Sequence, residues 1–426
     1  MVDSKKIFSL EGKGLKLTTA EDVEPHIAEL RANDVEEVHL LGNSLGVEAC
    51  KVLGEVLATK KNLKRSMDLI AQVANLADIF TARLLSEIPD ALSHLLTSIL
   101  NLPNLHTINV NDNAFGLNTQ APLVAFLAAH LPLQHLYLNN NGLGPHAGIL
   151  IADALSELHA KKEAARKEGK TVPDLETVIC GRNRLENGSM TAWAKTYSLH
   201  NKIKVIKMVQ NGIRQEGISH LIGEGLRHTA GLQVLDLQDN TFTLRGSKTL
   251  AAVAPRWASL RELAVGDCLL GGKGSVLVAG ALAQGKNGKL ETLRLQFNDM
   301  TPAGVKGFAD AAKNLPALKR IELNGNKFEE EDESIAALQE LLDERKEAVG
   351  GQVAADEWGL DELDELEGID SDEEEEEEDE DEDDVSPEER ADKLIREAEE
   401  AQEEPTVLLE DKNVDELAKK LEKTGI

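Results

Sequence analysis

A single hydrophobic pattern recurs along most of the chain. It reads L-x-x-L-x-L-x-x-N-x-L, with other apolar residues often replacing Leu, and copies from Leu105 onward start 28, 42, 28, 29, 28, 30 and 28 residues apart. The alternating apolar residues of each copy predict a short strand, and the helical periodicity that follows predicts an α-helix. Nine copies start at Val35, Leu105, Leu133, Leu175, Ile203, Leu232, Leu260, Leu290 and Leu318.

Each copy is a leucine-rich repeat, and a period of 28–29 residues has room for a full α-helix. The sequence therefore predicts an α/β solenoid whose parallel strands form the concave face and whose helices form the convex face. The Asn after each strand is expected to hydrogen-bond backbone groups where the chain turns. These residues are Asn43, Asn113, Asn141, Asn183, Asn211, Asn240, Asn298 and Asn326, with Cys268 in the same position of one repeat.

Two intervals between repeats are each 14 residues longer than one period. The interval after Leu133 contains the charged stretch 160–170, which is predicted to extend a helix that ends at Gly169. The interval before Leu105 leads to an apparent strand at 74–76. An irregular repeat of this kind marks either a site or a longer surface loop.

Charge divides the chain, whose net charge is −30, into two parts. Residues 351–426 hold 34 acidic and 7 basic residues, whereas residues 1–350 are nearly neutral. We expect a solenoid with terminal caps over 1–348, an acidic disordered linker over 349–385 and a short helical segment over 386–426. The linker includes 13 consecutive acidic residues from Asp372 to Asp384. The tail either keeps the protein soluble or steers a basic partner.

Several classes of function have no support in the sequence. No stretch approaches the ~18 apolar residues of a membrane span, and the negative charge disfavours direct nucleic-acid binding. Three Cys residues indicate a reducing compartment rather than a disulfide framework. Because metal-ligand and nucleotide-binding motifs are missing, we predict neither a metal nor a cofactor. The pattern alone therefore predicts an intracellular scaffold that binds other proteins.

Several segments resemble the leucine-rich domain of the Ran GTPase-activating protein family. They include ADIFTARLLSEIP (77–89), NDNAFG (111–116), LYLNNNGLGP (136–145) and ICGRNRLENGSM (179–190). The acidic tail is also a family feature. The resemblance implies a regulator, with no substrate pocket of its own, that accelerates GTP hydrolysis by the GTP-bound form of the small GTPase Ran. Ran-binding accessory proteins would be further partners. Such a protein would support nucleocytoplasmic transport from the cytoplasm, including its perinuclear region.

The resemblance also implies which residues support catalysis. Asn140, the middle residue of the NNN turn, would order the switch region of the GTPase and thereby its catalytic Gln. Arg83 would be an important contact, with an arginine finger as the alternative and a rim ion pair with Glu87 as the simplest explanation. Further candidates for contact with the partner are Asn139, Arg182 and Asp239.

The sequence departs from the family pattern at two places. Leu85 stands where the familiar motif carries Lys, and the stretch Arg65–Gln72 looks like an insertion. Two other functions remain open: a non-catalytic scaffold that binds another protein on its concave face, and an inhibitor of the ribonuclease-inhibitor type. The small number of Cys residues counts against the inhibitor.

Overall fold

The computed structural model describes residues 7–33, 35–60, 72–117, 119–350, 354 and 357–366. Three predicted features lie outside these residues. They are the acidic run 372–384, the C-terminal segment 386–426, and the insertion 65–72 except for its last residue.

Parallel strands recur once in each repeat. Their bounds are β1 (Ile7–Ser9), β2 (Lys16–Leu17), β3 (Glu37–His39), β4 (Ser44–Leu45), β5 (Gln72–Asn75), β6 (Leu105–Asn109), β7 (His135–Tyr137), β8 (Thr177–Ile179), β9 (Val205–Lys207), β10 (Val234–Asp236), β11 (Glu262–Ala264), β12 (Thr292–Arg294), β13 (Arg320–Glu322) and β14 (Gly359–Leu360). Among the described residues, β1, β3 and β5 to β14 form one 12-stranded sheet in chain order, and β2 pairs with β4.

Helices connect the strands and pack against one another. Their bounds are α1 (Ala20–Val23), α2 (Ala28–Ala32), α3 (Val47–Ala58), α4 (Ile88–Ile99), α5 (Gln120–Leu127), α6 (Gly144–Lys167), α7 (Met190–Leu199), α8 (Gln215–His220), α9 (Thr243–Val253), α10 (Gly271–Leu282), α11 (Pro302–Ala312) and α12 (Glu333–Ala348). The long helix α6 contains the predicted charged extension and stops just before Gly169, which has φ +84°.

The alternation of side chains places the core between the strands and the helices. In β7, Leu136 is fully buried, whereas His135 and Tyr137 are half-buried on the opposite face. In α4, Leu92, Leu95, Leu96 and Ile99 repeat with helical spacing and are all buried. The buried apolar side chains of successive repeats pack together into one hydrophobic core. The predicted α/β leucine-rich repeat solenoid is therefore confirmed.

The Asn that follows most of the strands joins its repeat to the neighbouring repeats. The Nδ2 atom of Asn141 donates to the carbonyls of Val110 and Asn139, both at 3.0 Å. Its Oδ1 atom accepts the backbone N–H of Asn113 at 3.0 Å. Cys268 takes the same place in its repeat, where its thiol donates to the carbonyl of Leu237 at 3.4 Å. The expected side-chain ladder is therefore present.

The sheet extends past residue 348, where the sequence places the end of the solenoid. Strand β14 pairs with β13, and Trp358 donates its indole N–H to the carbonyl of Leu342 at 2.9 Å. The carboxylate of Asp361 accepts the backbone N–H groups of Leu323 and Asn324, at 2.8 and 3.0 Å. The first residues of the predicted linker thus close the end of the sheet.

A second set of contacts between repeats lies where the helices end. The Nε2 atom of His200 donates to the carbonyl of Leu155 at 2.8 Å. In a later repeat, the Nδ2 atom of Asn287 donates to the carbonyl of Ala254 at 2.9 Å. Both side chains lie three residues before the first apolar residue of the repeat pattern. Burial lowers the pKa of His200 to about 4, so its imidazole stays neutral at pH 7.

Replacing His200 with Asn should remove part of the acid sensitivity of the fold. The pKa of a His in the unfolded chain is ~6.5, whereas the pKa of His200 in the folded protein is lowered to about 4. The contribution of neutral His200 to the unfolding free energy is therefore fully present above pH ~6.5 and is lost as the pH falls towards 4. Between pH 7 and pH 5, the wild-type protein should lose about 2 kcal/mol more unfolding free energy than His200→Asn.

Urea denaturation at the two pH values measures this difference, because Asn can still donate the hydrogen bond but does not titrate. His228→Asn is the matched control, since His228 is exposed. Equal pH dependence in His200→Asn and the wild-type protein would show that His200 is not responsible.

Candidate functional site

From β5 to β12, one residue after each strand adopts the left-handed backbone conformation, and it is exposed in every case except Asp78, which is half-buried. Its backbone N–H donates to a carbonyl of the next repeat, as from Asn140 to Gly181 at 2.9 Å. The following residue is buried, whether it is a ladder Asn, Cys268 or the Ile79 that follows Asp78, so this one points outward. We call the resulting row the exit rim, and its members are Asp78, Asp112, Asn140, Arg182, Gln210, Asp239, Asp267 and Phe297.

The three residues of the NNN turn have different environments. Asn139 is half-buried, and its Oδ1 atom accepts the backbone N–H of Gly181 at 2.5 Å. Asn141 is buried in the ladder. Asn140 has φ +54° and is exposed, and its Nδ2 atom donates to Oδ1 of Asp112 at 2.9 Å. Asn140 is therefore the member of the turn whose side chain can reach a partner.

Arg83 lies in the loop between β5 and α4, and its guanidinium reaches back to earlier repeats. The Nε atom donates to Oγ of Ser44 at 2.9 Å. The Nη2 atom donates to the Ser44 carbonyl at 2.9 Å, to Oγ1 of Thr18 at 3.1 Å and to the Leu17 carbonyl at 3.2 Å. The described residues show no ion pair between Arg83 and Glu87. To act as an arginine finger, Arg83 would have to break these hydrogen bonds and extend its guanidinium towards a partner.

Arg83 and Asn140 share the exit edge of the sheet but belong to different repeats. Strand β6 separates β5, which precedes Arg83, from β7, which precedes Asn140. Neighbouring strands lie ~4.8 Å apart, so the two repeats are offset by roughly 10 Å. The structure pairs Asn140 with Asp112 and ties Arg83 to the N-terminal repeats.

A groove of about 890 Å³ lies beside the exit rim, where it is bordered by Gln210, Asp239 and Asp267. Its charged lining is mostly acidic and consists of Glu186, Glu216, Asp239, Asp267 and Arg214. The pKa of Asp239 is raised because burial and the neighbouring Asp267 carboxylate both disfavour its charged form. A cation of a partner would relieve that repulsion. Arg182, on the rim between Asn140 and Gln210, forms no side-chain hydrogen bond within the described part of the chain.

Sequence reasoning selected Asn140, Arg182 and Asp239 but missed Asp112 and Asp267. All five occupy the position immediately before a ladder residue, Asn or Cys268. Aligning the repeats on the ladder would have revealed the whole row. The signal was therefore present in the sequence, but it lies in repeat position rather than in a local motif.

Other kinds of site are missing from the described residues. No group of three His, Cys, Asp or Glu side chains there could hold a metal ion. No helix in those ranges has the length and apolar character needed to cross a membrane. Cys50, Cys180 and Cys268 are buried, and burial raises the pKa of Cys180 to about 12, so its thiolate is not available for nucleophilic chemistry.

Comparisons with known proteins agree with the repeat assignment and point to one family. A family model described as Leucine Rich repeat matches residues 286–309. Ran GTPase-activating protein 1 of Saccharomyces cerevisiae is 40% identical over 348 residues, which is 80% of this chain and 83% of the yeast protein. Ran GTPase-activating protein 1 of Xenopus laevis is 39% identical over 48% of this chain, which spans only 34% of the frog protein. Ribonuclease inhibitor of Sus scrofa is 26% identical over 58% of this chain and 51% of its own length.

Replacing Arg83 with Gln should loosen the N-terminal repeats. The substitution removes hydrogen bonds from a charged donor to Leu17, Thr18 and Ser44, and such bonds contribute roughly 2 kcal/mol. Amide hydrogen exchange should show faster opening of residues 7–58, with little change beyond residue 175. Arg182→Gln is the control, because its side chain is exposed. Unchanged protection of residues 7–58 in Arg83→Gln would contradict this structural role.

Proposed function

Since the chain belongs to the Ran GTPase-activating protein family, we propose that it stimulates GTP hydrolysis by the small GTPase Ran. Within the candidate site, the proposal rests on the position of Asn140. It is an exposed amide in a turn whose other two Asn side chains are engaged in contacts between repeats. The mostly acidic groove begins two strands further along the exit rim, at Gln210, and provides a surface for cationic groups of the GTPase.

The chemistry of such a reaction depends on positioning more than on new covalent bonds. Phosphoryl transfer needs an attacking water in line with the γ-phosphate, a Gln that orients this water, and Mg²⁺ on the phosphates. All three belong to the GTPase complex. An amide offers both a donor and an acceptor, so Asn140 can hold a switch residue and thereby order the Gln. Asn140 would contribute to the rate without touching the nucleotide.

We assign Arg83 a supporting role rather than that of a finger. Four hydrogen bonds hold its guanidinium against the N-terminal loops. An arginine finger contributes roughly 10³–10⁵-fold to the rate, so the two roles make different predictions. With a supporting role, Arg83→Gln lowers activity only as far as it loosens residues 7–58. With a finger, the maximal rate collapses while binding persists.

Four finer features belong to the same proposal. The form of Ran that binds is the GTP-bound one, because the reaction acts on bound GTP. The protein is a regulator whose catalytic site lies in the GTPase. Ran-binding accessory proteins join the complex, and the protein acts in the cytoplasm, including around the nucleus. These last two features rest on the family resemblance alone.

Single-turnover hydrolysis of GTP-loaded Ran tests the proposal. The wild-type protein should accelerate hydrolysis by roughly 10³-fold or more. Asn140→Gly should lower the maximal rate by roughly 10²-fold, a loss typical of a group that acts in the transition state. Gly is the appropriate replacement because Asn140 has φ +54° and Gly325 holds the equivalent position in a later repeat at φ +69°.

Phe297→Gly is the matched control, because Phe297 has the same backbone conformation on the exit rim, five strands away from Asn140. It should retain the wild-type maximal rate. A wild-type protein that binds GTP-loaded Ran without accelerating hydrolysis would instead be a scaffold. Full activity in Asn140→Gly would refute the assignment of this residue.

A further inference from the structure

The exposed amide of Asn140 is held in one orientation by a neighbouring carboxylate. Oδ1 of Asp112 lies 2.9 Å from Nδ2 of Asn140. A carboxylate can only accept hydrogen bonds, so the nitrogen side of the Asn140 amide must face Asp112. Flipping the amide would place two acceptor oxygens against each other. The Oδ1 atom of Asn140 therefore points away from Asp112.

The backbone on both sides of this contact is fixed by the repeat. The N–H of Asp112 donates to the carbonyl of Asn139, and the N–H of Asn140 donates to that of Gly181, both at 2.9 Å. Asp112 and Asn140 have φ +60° and +54°, and the ladder residues that follow them are buried. The two Cα atoms are thus held one strand apart, and only the side-chain torsions remain free. The hydrogen bond restricts those torsions.

We propose that Asp112 is a positioning residue for the stimulated reaction. It orients the amide of Asn140 so that Oδ1 is presented as an acceptor to a hydroxyl or N–H donor in the switch region of the GTPase. This inference rests on the proposed function, because Asp112 acts only through Asn140. Asp112 does not contact the nucleotide in this arrangement, so its loss lowers the maximal rate while leaving affinity nearly intact.

Two substitutions of Asp112 remove the carboxylate that fixes the Asn140 amide, and a third variant tests the loss of charge alone. Asp112→Asn keeps the shape of the side chain but lets it accept or donate, so Asn140 can adopt either amide orientation. Asp112→Gly removes the side chain and suits the positive φ of this position. Asp153→Asn, on the exposed side of α6, is the control for the change in net charge.

Single-turnover hydrolysis by GTP-loaded Ran is measured at saturating and limiting concentrations of each variant. Asp112→Asn and Asp112→Gly should lower the maximal rate roughly 5- to 20-fold, as expected for one hydrogen bond. The concentration that gives half-maximal rate should stay within about twofold, a change worth less than ~0.5 kcal/mol. Asp153→Asn should match the wild-type protein. In the Asn140→Gly background, Asp112→Asn should have no further effect.

The outcomes separate this inference from the proposed function. If Asn140→Gly is impaired but both Asp112 variants retain the wild-type maximal rate, the inference is wrong and the proposed function stands. A loss caused by Asp112→Asn that persists in the Asn140→Gly background would also overturn it, because Asp112 would then act independently. A wild-type protein that does not accelerate hydrolysis would overturn both. Urea denaturation of each variant identifies a loss that results from unfolding.

Discussion

The structure depends on one recurring interaction, the buried side-chain amide that joins most repeats to their neighbours. Where a strand ends, the turn removes the usual partners of backbone N–H and C=O groups, and leaving such groups unpaired in the core is costly. An inward-pointing Asn satisfies them, as Asn183 does by donating to the carbonyl of Leu138 and accepting from the N–H of Asn141. The residue before it must then turn outward with a positive φ.

This constraint accounts for the arrangement of the candidate site. The exit rim is a by-product of the ladder, because the same turn that buries Asn141 exposes Asn140. Hydrogen bonds of the backbone hold each rim residue, so the position of its Cα atom is fixed and only the side-chain torsions can vary. A neutral amide in such a place can act by orienting another molecule's groups. Arg83, by contrast, uses its charge within the chain, where it ties Ser44 and the N-terminal turn to the next repeat.

Much of the fold could be predicted because the burial of apolar side chains requires the repeats to stack. A unit of 28–29 residues cannot bury its apolar side alone, so the spacing of Leu residues implies stacked strands and helices. The outward position of Asn140 followed from the ladder role of Asn141. Strand β14 was missed because its two residues precede the acidic stretch, whose composition indicates disorder.

The contacts of single side chains were harder to predict. Arg83 donates to Leu17, which lies 66 residues earlier in the chain, and no local pattern indicates such a partner. The pairing of Asp112 with Asn140 spans 28 residues and becomes apparent only when equivalent positions of adjacent repeats are compared. The sequence therefore predicts which residues share the rim more readily than which of them touch.

In the proposed mechanism, a rigid rim orders the reacting groups of another molecule. A crystal structure of this protein bound to Ran, with GDP and aluminium fluoride in place of the transferred phosphate, tests it directly. In that complex we expect Oδ1 of Asn140 to accept a hydrogen bond from the Ran switch region and Arg83 to keep its bonds to Ser44. An Arg83 guanidinium inside the nucleotide site, or an exit rim that faces away from that site, would rule out the mechanism.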